Sequence, residues 1–569
     1  MTKDSRLDGE VLFEGEEDMV GGRRPWMWMI LVAVILTFMV PGSFLLSCDA
    51  NPSNRTIYVP DDFSTIQQAI DNASEGDTII VAAGIYREQL IINKSINLVG
   101  QSGAKIVAPN NASRNTYKIQ ESSHTFDPIV FAYGGTYSTG NNTVWGDGVI
   151  HVNISGFEID GNNDGTGDVY VGILLRNVEG RIYNNYVHNM FPSSGNPQTF
   201  CIEGYGDSNV RVDNNTVMNY TRGGIVFNGD LGSLPDPYAI VENNTVIGNG
   251  ISDGGGWAEN GIQIGWGASG IVQYNDVSAN GWPGGNWAGT GIIIPGTANV
   301  IVRNNDVHDN EVGISAVGYE DWKNAPCHDI TIKNNQVYSN VYGISAEANA
   351  DHITIEGNMI HDNDYDGIDV WAYNFGWESS TPDNISIQNN EIYNHVYCGI
   401  YLSDVNDNIS ISQNDIYNNG EGIYLDNYYG MDSDADIRYN NIHNNVYHGI
   451  WNKGGILVNA ECNWWGSANG PTHPSNTYNV GYQGDNVSNN VKYCPWLLNP
   501  YPQPTNVSSF DITRADFNMT GFSSNPGGNP SLGPDYLNIT NVEGTYNMDI
   551  PPAGTKYVVV ISGWLEADF

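Results

Sequence analysis

Aromatic and acidic side chains recur at one position of a repeated pattern in the C-terminal half of the chain. Asp369, Tyr401, Tyr424 and Trp451 each follow a Gly-Ile pair, and Trp371 lies two residues beyond Asp369. Aromatic rings stack on the apolar faces of sugar rings, and carboxylates accept hydrogen bonds from sugar hydroxyls. These five residues therefore predict an elongated carbohydrate-binding face. The alternative is a structural role, in which neighbouring aromatic side chains stabilise adjacent strands.

Two further carboxylates, Glu347 and Asp426, lie two residues beyond the same position in their own repeats. A glycosidase needs two facing carboxylates about 5–10 Å apart. Asp366 or Asp369 could form such a pair with Glu347 or Asp426. Asp369, Glu347 and Asp426 are therefore the candidate catalytic residues if the protein is an enzyme. A lyase acting on acidic sugars also needs a base and a cation, and Lys453 is nearly alone as a basic side chain on this face. A polysaccharide lyase, hydrolase or epimerase is the alternative to binding alone.

An acidic loop in the N-terminal half has the spacing of calcium ligands. Its candidate ligands are Asp160, Asn162, Asp164 and Asp168. Oxygen-bearing side chains at alternate positions, with Gly165 at the sixth, suit calcium, although Val171 stands where a closing glutamate is usual. A second loop offers Asp432, Asp434 and Asp436. Calcium is the possible cofactor, and turns built from Asp, Asn and Gly without metal are the alternative.

A repeat must position these side chains, because an asparagine recurs ten times at intervals of 23 to 32 residues. The ten anchors are Asn185, Asn215, Asn244, Asn275, Asn305, Asn335, Asn358, Asn390, Asn414 and Asn440. Such a period is typical of a solenoid whose units bury their apolar faces by stacking. Short alternations of apolar and polar residues predict three strands per coil. Each anchor is expected at a left-handed turn, with its amide bonded to the next coil.

A second aligned position carries rings. Its members are His188, His308, Tyr338, His361, Tyr393, Tyr417 and His443. We expect a structural ladder here rather than a metal site, because most of the histidines lie in non-adjacent coils.

The chain from Thr56 to Leu498 resembles the right-handed parallel β-helix proteins of the pectin-lyase-like superfamily, above all its parallel β-helix repeat branch of archaeal surface proteins and NosD-like proteins. The segment TIYVPDDFSTIQQAIDNASEGDTIIVAAGIYREQLIINKSINLVGQSG is similar to the cap and first coils of that superfamily, and NWWGSANGPTHP with VKYCPWL is similar to its closing segment. The resemblance implies the fold more firmly than the activity, because this superfamily includes lyases, hydrolases, esterases, epimerases and non-catalytic proteins. The motifs of its polygalacturonases are absent.

The fold class predicted is all-β. We expect a right-handed parallel β-helix solenoid with an N-terminal capping helix, preceded by one transmembrane helix and followed by a short β-rich segment. The apolar face of the capping helix would consist of Ile66, Ala69, Ile70 and Ala73. The predicted boundaries are an acidic cytoplasmic tail at 1–24, a transmembrane anchor or signal segment at 25–47, the N-cap and first coils at 54–125, the repeats with their closing segment at 126–500, and the β-rich segment at 501–569.

The N-terminal region indicates export. Residues 26–46 carry no charge and are long enough to cross a membrane, and Arg23 and Arg24 would keep the N-terminus inside. A cleaved signal peptide, or lipid attached to Cys48, is the alternative. Glycosylation sequons agree with export to the cell surface. The candidate sites are Asn54, Asn93, Asn153, Asn214, Asn384, Asn408, Asn486 and Asn538.

Charge and cysteine content restrict the partners and the cross-links. A formal charge of −42 argues against nucleic acid as a partner and repels acidic polymers unless cations intervene.

Six cysteines are too few for a disulfide framework in 569 residues. Cys462 and Cys494 flank the closing segment and are the one plausible disulfide, worth roughly 3–4 kcal/mol for a loop of about 30 residues.

Together these patterns predict an exported, membrane-anchored cell-surface glycoprotein. Its role would be structural or adhesive, and its partner a polysaccharide or surface glycan bound along the C-terminal coils. The enzyme described above is the first alternative. A self-assembling envelope protein, with contacts through the coils or residues 501–569, is the second.

Overall fold

The computed structural model of the protein describes residues 54–251, 256–284, 288–319, 324–372, 381–405, 408–479 and 481–501, and the strands at 536–540 and 558–562. The chain winds through three parallel sheets in a fixed order. One turn takes it from Cys327–Lys333 in the first sheet to Gln336–Tyr338 in the second and Tyr342–Glu347 in the third, before Ala350–Glu356 starts the next turn. The predicted coil of three short parallel strands is confirmed.

The first sheet, called sheet A, has sixteen strands among the described residues. They are Thr56–Val59, Thr78–Val81, Ile96–Gly100, Ile150–Ser155, Val178–Tyr183, Asn209–Asp213, Tyr238–Glu242, Ser269–Gln273, Ala298–Arg303, Cys327–Lys333, Ala350–Glu356, Asp383–Gln388, Ser410–Ser412, Asp436–Arg438, Val458–Asn459 and Val491–Lys492. The second, sheet B, has thirteen in the same part of the chain. They are Gly84–Arg87, Ala104–Val107, Glu158–Asp160, Tyr186–His188, Thr216–Met218, Thr245–Ile247, Asp276–Ser278, Asp306–His308, Gln336–Tyr338, Met359–His361, Glu391–Tyr393, Asp415–Tyr417 and Asn441–His443.

The third sheet, called sheet C, also has thirteen strands in the described ranges. They are Leu90–Ile92, Phe126–Tyr133, Val169–Arg176, Gln198–Tyr205, Gly223–Asn228, Asn260–Gly265, Thr290–Pro295, Val312–Val317, Tyr342–Glu347, Ile368–Trp371, Cys398–Ser403, Glu421–Asp426 and His448–Asn452. A small sheet joins Lys118–Ile119, Thr136–Ser138 and Thr143–Trp145. Two parallel strands, Tyr536–Thr540 and Val558–Ser562, pair in the C-terminal segment, where the sequence predicts strands.

The strands of sheet C are more deeply buried than those of sheet A, and the candidate site lies on sheet C. In sheet A buried and half-exposed residues alternate, as in Ala350–Glu356, because one face lines the core and the other faces water. In sheet C whole strands are buried, including Val169–Arg176 and Glu421–Asp426. Along these strands the outer face of sheet C is covered, and polar side chains that point outward there are partly withdrawn from water.

The core of the solenoid consists of aliphatic residues stacked in register. The isoleucines after the repeated glycines are all buried, as predicted: Ile314, Ile344, Ile368, Ile400, Ile423 and Ile450. Each lies directly over its counterpart in the next coil, so the apolar surface of one coil is removed from water by its neighbours.

The anchor asparagines form a continuous ladder. The backbone N–H of Asn305 donates to Oδ1 of Asn335 at 3.0 Å, and its Nδ2 donates both to that oxygen at 3.0 Å and to the carbonyl of Val272 at 3.0 Å. The same pattern runs from Asn185 to Asn463. The predicted amide contacts are confirmed. The left-handed residue, however, is the one before the anchor, such as Asn304 or Asn334, and not the anchor itself.

A second ladder lies five residues after the first. Its members are Asn280, Asn310, Asn340, Asn363, His395, Asn419 and Asn445, and it ends on the carboxylate of Asp485. His395 takes the place of an asparagine. Its Nδ1 accepts from the N–H of Asn363 at 3.3 Å, and its Nε2 faces the carbonyl of Ile360 at 3.2 Å. Only a neutral imidazole protonated on Nε2 satisfies both contacts.

The predicted ring ladder is confirmed over six coils. His308, Tyr338, His361, Tyr393, Tyr417 and His443 stack with ring centroids 5.0 to 5.1 Å apart and interplanar angles of 14° or less. His188 does not belong to it and stacks on Tyr186 at 4.1 Å.

The prediction of an N-terminal capping helix is wrong. The described residues contain one short α-helix, Ile66–Asn72, and it follows the first strand, Thr56–Val59, instead of preceding the sheets. That strand is the outermost of sheet A, pairing with Thr78–Val81. The apolar face of the helix therefore packs into the core as an insertion between two strands, with Ile66, Ala69 and Ile70 buried.

The predicted transmembrane helix is also not found. In the part of the chain that the structure describes, no helix is long and apolar enough to cross a membrane. Residues 25–47, to which that helix was assigned, lie outside the described residues, as does the acidic tail at 1–24.

Replacing His395 by Asn tests the neutral imidazole in the ladder. Burial lowers the pKa of His395 to about 4, whereas the unfolded value is about 6.5. The free energy of unfolding should therefore be at its full value above about pH 6.5. It should fall as the pH drops towards 4, because the unfolded chain takes up a proton that the folded chain does not. We expect the native protein to lose about 3 kcal/mol relative to His395→Asn over that range, measured by urea unfolding at successive pH values.

The matched control is His328→Asn, which alters a half-exposed imidazole on sheet A. It should leave the pH dependence of unfolding unchanged. Identical pH profiles for the native protein and His395→Asn would contradict the assignment of a buried neutral imidazole.

Candidate functional site

The predicted carbohydrate-binding residues form one row on the outer face of sheet C. Strand register places Asp369 beside Tyr401, Tyr401 beside Tyr424 and Tyr424 beside Trp451, one residue per coil. Trp371 lies in the neighbouring row, beside Ser403. The structure thus brings the five residues onto one surface along the axis of the solenoid.

The aromatic rings of this row are not equally accessible. Tyr424 stacks on Trp451 with centroids 4.6 Å apart and planes 7° apart, and Tyr401 meets Tyr424 edge-on at 5.5 Å. Tyr424 is only 5% exposed, whereas Tyr401 and Trp451 are half-buried. His448 adds a fourth ring, 5.6 Å from Trp451. Tyr424 therefore supports its neighbours, and Tyr401 and Trp451 keep surface that a ligand can contact.

Two exposed tyrosines extend this aromatic surface beyond the residues that the sequence predicted. Tyr397 is 49% exposed and Tyr447 is 61% exposed, and both lie in the turns that lead into sheet C. The recurring Val-Tyr pair just before the Gly-Ile motif is the signal that would have found them. They lie in the turns before sheet C, where differences in coil length make it harder to align one repeat with the next in the sequence.

Asp426 connects the row to the ammonium group of Lys453. Its Oδ2 accepts from the hydroxyl of Tyr401 at 3.1 Å, and its Oδ1 pairs with Lys453 Nζ at 2.6 Å. Burial raises the pKa of Tyr401, and the neighbouring Asp426 carboxylate raises it further, so the phenol stays protonated. These polar groups can form hydrogen bonds with the hydroxyl groups of a ligand.

Three carboxyl groups, those of Asp366, Asp369 and Glu347, are buried in the two coils that precede the coil of Tyr401. Burial raises the pKa of Asp366 to about 6 and holds the pKa of Asp369 well above its usual range, with Asp366 and Glu347 adding like charge. Asp366 accepts from the N–H of Cys398 at 2.8 Å, while Oδ1 of Asp369 is buried with no hydrogen-bond partner. The aspartates therefore share a proton at neutral pH. The sequence offered Asp366, which directly precedes a Gly-Ile pair, as an alternative to Asp369 in such a carboxylate pair.

The three predicted catalytic residues are not all neighbours. Register places Glu347 beside Trp371, Trp371 beside Ser403 and Ser403 beside Asp426. Glu347 and Asp426 are thus three coils, or about 14 Å, apart, beyond the spacing of paired glycosidase carboxylates. Glu347 lies one coil from Asp369 and accepts from the hydroxyls of Ser315 and Ser345. Asp369 and Glu347 are the pair that the fold brings together.

The predicted calcium ligands each contact a different partner in the protein. Asp160 pairs with Lys105 at 2.7 Å, Asp164 with Arg114 at 3.1 Å and Asp168 with His124 at 3.0 Å. Asn162 donates its N–H to Asp160 Oδ1 at 2.8 Å in a left-handed turn. Glu158, Asp160 and His188 lie close enough together to hold a metal ion, but Lys105 Nζ also lies 2.8 Å from Glu158. Calcium at this loop stays a prediction.

The second acidic loop is held by turn contacts. Asp432 accepts from the N–H of Gly455 at 2.9 Å, and Asp436 pairs with Arg438 at 2.6 Å. Burial raises the pKa of Asp434.

The predicted disulfide and glycosylation sites are also located. Cys462 and Cys494 are half-buried, and the N–H of Cys462 donates to the carbonyl of Pro495 at 2.6 Å, so the two cysteines lie in adjoining segments. Their cross-link stays a prediction.

Among the sequon asparagines, Asn54, Asn93, Asn214, Asn408 and Asn486 are exposed, and Asn153 and Asn384 are half-buried. The side chain of Asn538 lies outside the described residues.

The sequence matches the family described as the right handed beta helix region over residues 128–379 and 324–496. The chain therefore belongs to this family, and its fold is a right-handed parallel β-helix of the pectin-lyase-like type. No curated protein sequence matches the chain.

Solved structures resemble this fold at low sequence identity. The A-module of the mannuronan C-5 epimerase AlgE6 from Azotobacter vinelandii has 17% identity and a TM-score of 0.44, over 65% of this chain and 90% of that one. The periplasmic alginate epimerase AlgG has 14% identity and a TM-score of 0.34, over 59% and 71%. A family 28 exopolygalacturonase from Yersinia enterocolitica has 13% identity and a TM-score of 0.30, over 65% and 74%. Membrane anchoring and self-assembly receive no support from these comparisons or from the described residues.

Asp369→Asn tests whether the buried carboxyl costs stability. A folded-state pKa raised above the unfolded value of about 3.9 means that stability is greatest below that pH and is lost as the pH rises. Asparagine keeps the shape of the side chain and cannot ionise. We therefore expect the variant to gain on the order of 1 kcal/mol or more in the free energy of unfolding at neutral pH, measured by denaturant titration.

Asp364→Asn is the matched control, because Asp364 is exposed five residues away. It should change the free energy of unfolding by less than about 0.5 kcal/mol. A loss of stability in Asp369→Asn at neutral pH would show that the carboxylate is ionised and held by contacts.

Proposed function

We propose that this protein is exported and binds carbohydrate along the outer face of sheet C in its C-terminal coils, in a structural or adhesive role at the cell surface. The observation that carries this proposal is the row of Tyr401, Tyr424 and Trp451, which supplies one aromatic ring per coil beside the carboxylate of Asp426. Sugar rings stack on such rings, and their hydroxyls bond to neighbouring polar groups.

The direction of the row favours an extended ligand. Successive coils lie about 4.8 Å apart, so the surface from Tyr401 to Trp451 runs along the axis of the solenoid. Tyr397 and Tyr447 widen it on the side of the turns. A linear glycan lying along this axis would contact several coils at once, and many weak stacking contacts would add up to useful affinity.

Charge favours a neutral glycan over an acidic one. The chain carries a formal charge of −42, which raises the cost of bringing a polyanion to its surface. Lys453, the cation nearest to the row, is already paired with Asp426. We therefore expect neutral polysaccharides to bind better than acidic ones at low salt.

Export is supported by the sequence. Five of the eight candidate sequon asparagines are exposed on the solenoid, where glycosylation would not disturb the core. The N-terminal segment that would direct export lies outside the described residues.

Trp451→Ala should weaken glycan binding roughly tenfold, because the substitution removes the accessible ring at the end of the stack while Tyr424 beneath it stays. Affinity of the full chain for a panel of neutral and acidic polysaccharides would be measured by affinity electrophoresis, with thermal unfolding recorded for each variant.

Trp145→Ala provides the matched control, since Trp145 is 50% exposed in the small sheet away from this row. It should leave affinity unchanged. Equal affinities for Trp451→Ala and the native protein, with both folded, would mean that the stacked rings serve only to hold adjacent strands together.

A second candidate function is enzymatic cleavage or epimerisation of a polysaccharide. The observation that favours it is the proton shared by Asp366 and Asp369 beside Glu347, because a carboxyl group that stays protonated at neutral pH can act as a general acid. This pair lies one coil from Tyr401, so a glycan held by the aromatic row would pass close to it.

Catalysis would be tested by following new chain ends and altered sugar configuration in the same binding samples. If the protein is an enzyme, Asp369→Asn should reduce turnover by at least about a hundredfold while glycan affinity is retained. Glycan retention without any product, in the native protein as well, would leave the binding function and rule out turnover of the tested polysaccharides.

A further inference from the structure

A cavity on the outer face of sheet C lies in the N-terminal half of the solenoid, far from the aromatic row. Its volume is about 360 Å³, and residues of four successive strands of sheet C contribute to its lining. Glu203 and Tyr401 occupy the same row but are seven coils, or about 34 Å, apart. None of the residues predicted from the sequence to form a site belongs to this cavity.

Glu203 is the first unusual group in the cavity. Its side chain is almost completely buried, its Oε1 accepts from the hydroxyl of Tyr205 at 2.7 Å, and its Oε2 has no hydrogen-bond partner. Burial raises the pKa of Glu203 to about 8, so the carboxyl group is protonated at neutral pH. A buried acid with an unused oxygen is costly to the fold, and it offers one O–H donor to whatever enters the cavity.

Arg222 is the second unusual group in the cavity. Its Nη1 donates to the carbonyl of Ala258 at 2.6 Å, and no carboxylate of the described residues forms an ion pair with it. Burial lowers the pKa of its guanidinium, and Glu203 opposes this shift. Arginine nonetheless stays charged. The cavity therefore holds a cation whose remaining N–H donors have no anion to bind.

The other charged groups around the cavity are either paired or near the surface. Glu121 is bound to Arg176 at 2.7 Å, and His124 contacts Asp168 at 3.0 Å. Asp230 accepts from the N–H of Gly232 at 2.8 Å in an exposed turn. Glu203 and Arg222 are thus left as the two groups that an incoming ligand would satisfy.

The remaining lining fits a hydroxylated body of modest size. Gln198, Asn228 and Gln263 supply amides, and Phe200 and Trp266 supply ring faces. A volume near 360 Å³ lies at the lower end of small-molecule sites. It admits one or two sugar-sized rings.

We propose that this cavity binds a hydroxylated carboxylic acid of about the size of one sugar ring, whose carboxylate accepts hydrogen bonds from the Arg222 guanidinium and from the protonated Glu203. Arginine binds carboxylates through parallel N–H donors, and the acid proton of Glu203 supplies a third donor. The proposal is independent of the aromatic row, because the two sites share no residue. The same carboxylate chemistry is present in a free sugar acid and in a residue of an acidic polysaccharide.

The experiment measures binding of glucuronate to the full chain by titration calorimetry, with glucose as the uncharged counterpart and an oligomer of the same acid as a third ligand. Glucuronate should bind at least tenfold more tightly than glucose. Tight binding of the free acid alone would assign the cavity to a small molecule, and tighter binding of the oligomer would assign it to a polymer end. Equal affinities for glucuronate and glucose would overturn the proposal.

Two variants locate the binding in this cavity. Arg222→Gln should weaken glucuronate binding by roughly ten- to a hundredfold, whereas Arg303→Gln, a half-buried arginine of sheet A, should not change it. In the native protein affinity should fall above about pH 8, as Glu203 ionises. Glu203→Gln keeps an N–H donor and cannot ionise, so it should bind with no such fall.

The pH profile keeps the proposal testable if Arg222→Gln does not fold. A native affinity that is constant from pH 6 to pH 9, or a fall that persists in Glu203→Gln, would show that Glu203 does not face the ligand. Unchanged binding in a folded Arg222→Gln variant would show that the acid binds elsewhere.

Discussion

The structure depends on keeping every coil in register with the next, and hydrogen bonds between buried turns enforce that register. A turn inside a stack of coils has backbone groups that water cannot reach, and these must find partners. Each anchor asparagine satisfies two backbone groups of the preceding coil, as Asn305 does when its Oδ1 accepts from the N–H of Asn275 and its Nδ2 donates to the carbonyl of Val272. Coils of very different length, from Asn335 to Asn358 or from Asn358 to Asn390, can then stack without a shift in the strands.

Fixed register turns sequence repetition into continuous surfaces. The same rule that stacks isoleucines inside places Tyr401, Tyr424 and Trp451 in line outside. Several strands of sheet C, such as Val169–Arg176, are buried throughout, whereas the strands of sheet A keep alternating exposure. Both candidate sites lie on this sheet, one as an aromatic row and the other as a cavity lined by Glu203.

The repeat made the coil, the inward isoleucines and the alignment of the aromatic row predictable, because each depends on spacing alone. The burial of Asp366 and the cavity were not predictable. Burial of Asp366 depends on residues of neighbouring coils, and the cavity is lined by Glu203 and Arg222 from two successive coils. The helix at Ile66–Asn72 has a sequence suited to capping, yet the strand before it pairs first. The local sequence pattern predicts the strands and turns of a coil well. The burial of the outer face of a coil depends on segments outside the repeat, which the pattern does not describe.

The asparagine ladders also have a direction. Each side-chain oxygen points to the preceding coil, and each amide donates to the following one, so their dipoles add along the axis instead of cancelling. In the second ladder this row of donors ends on the Asp485 carboxylate, which accepts from both the backbone and the side chain of Asn445. The solenoid is thus electrically polarised along this row, and an acidic side chain neutralises the positive end of the row inside the closing segment.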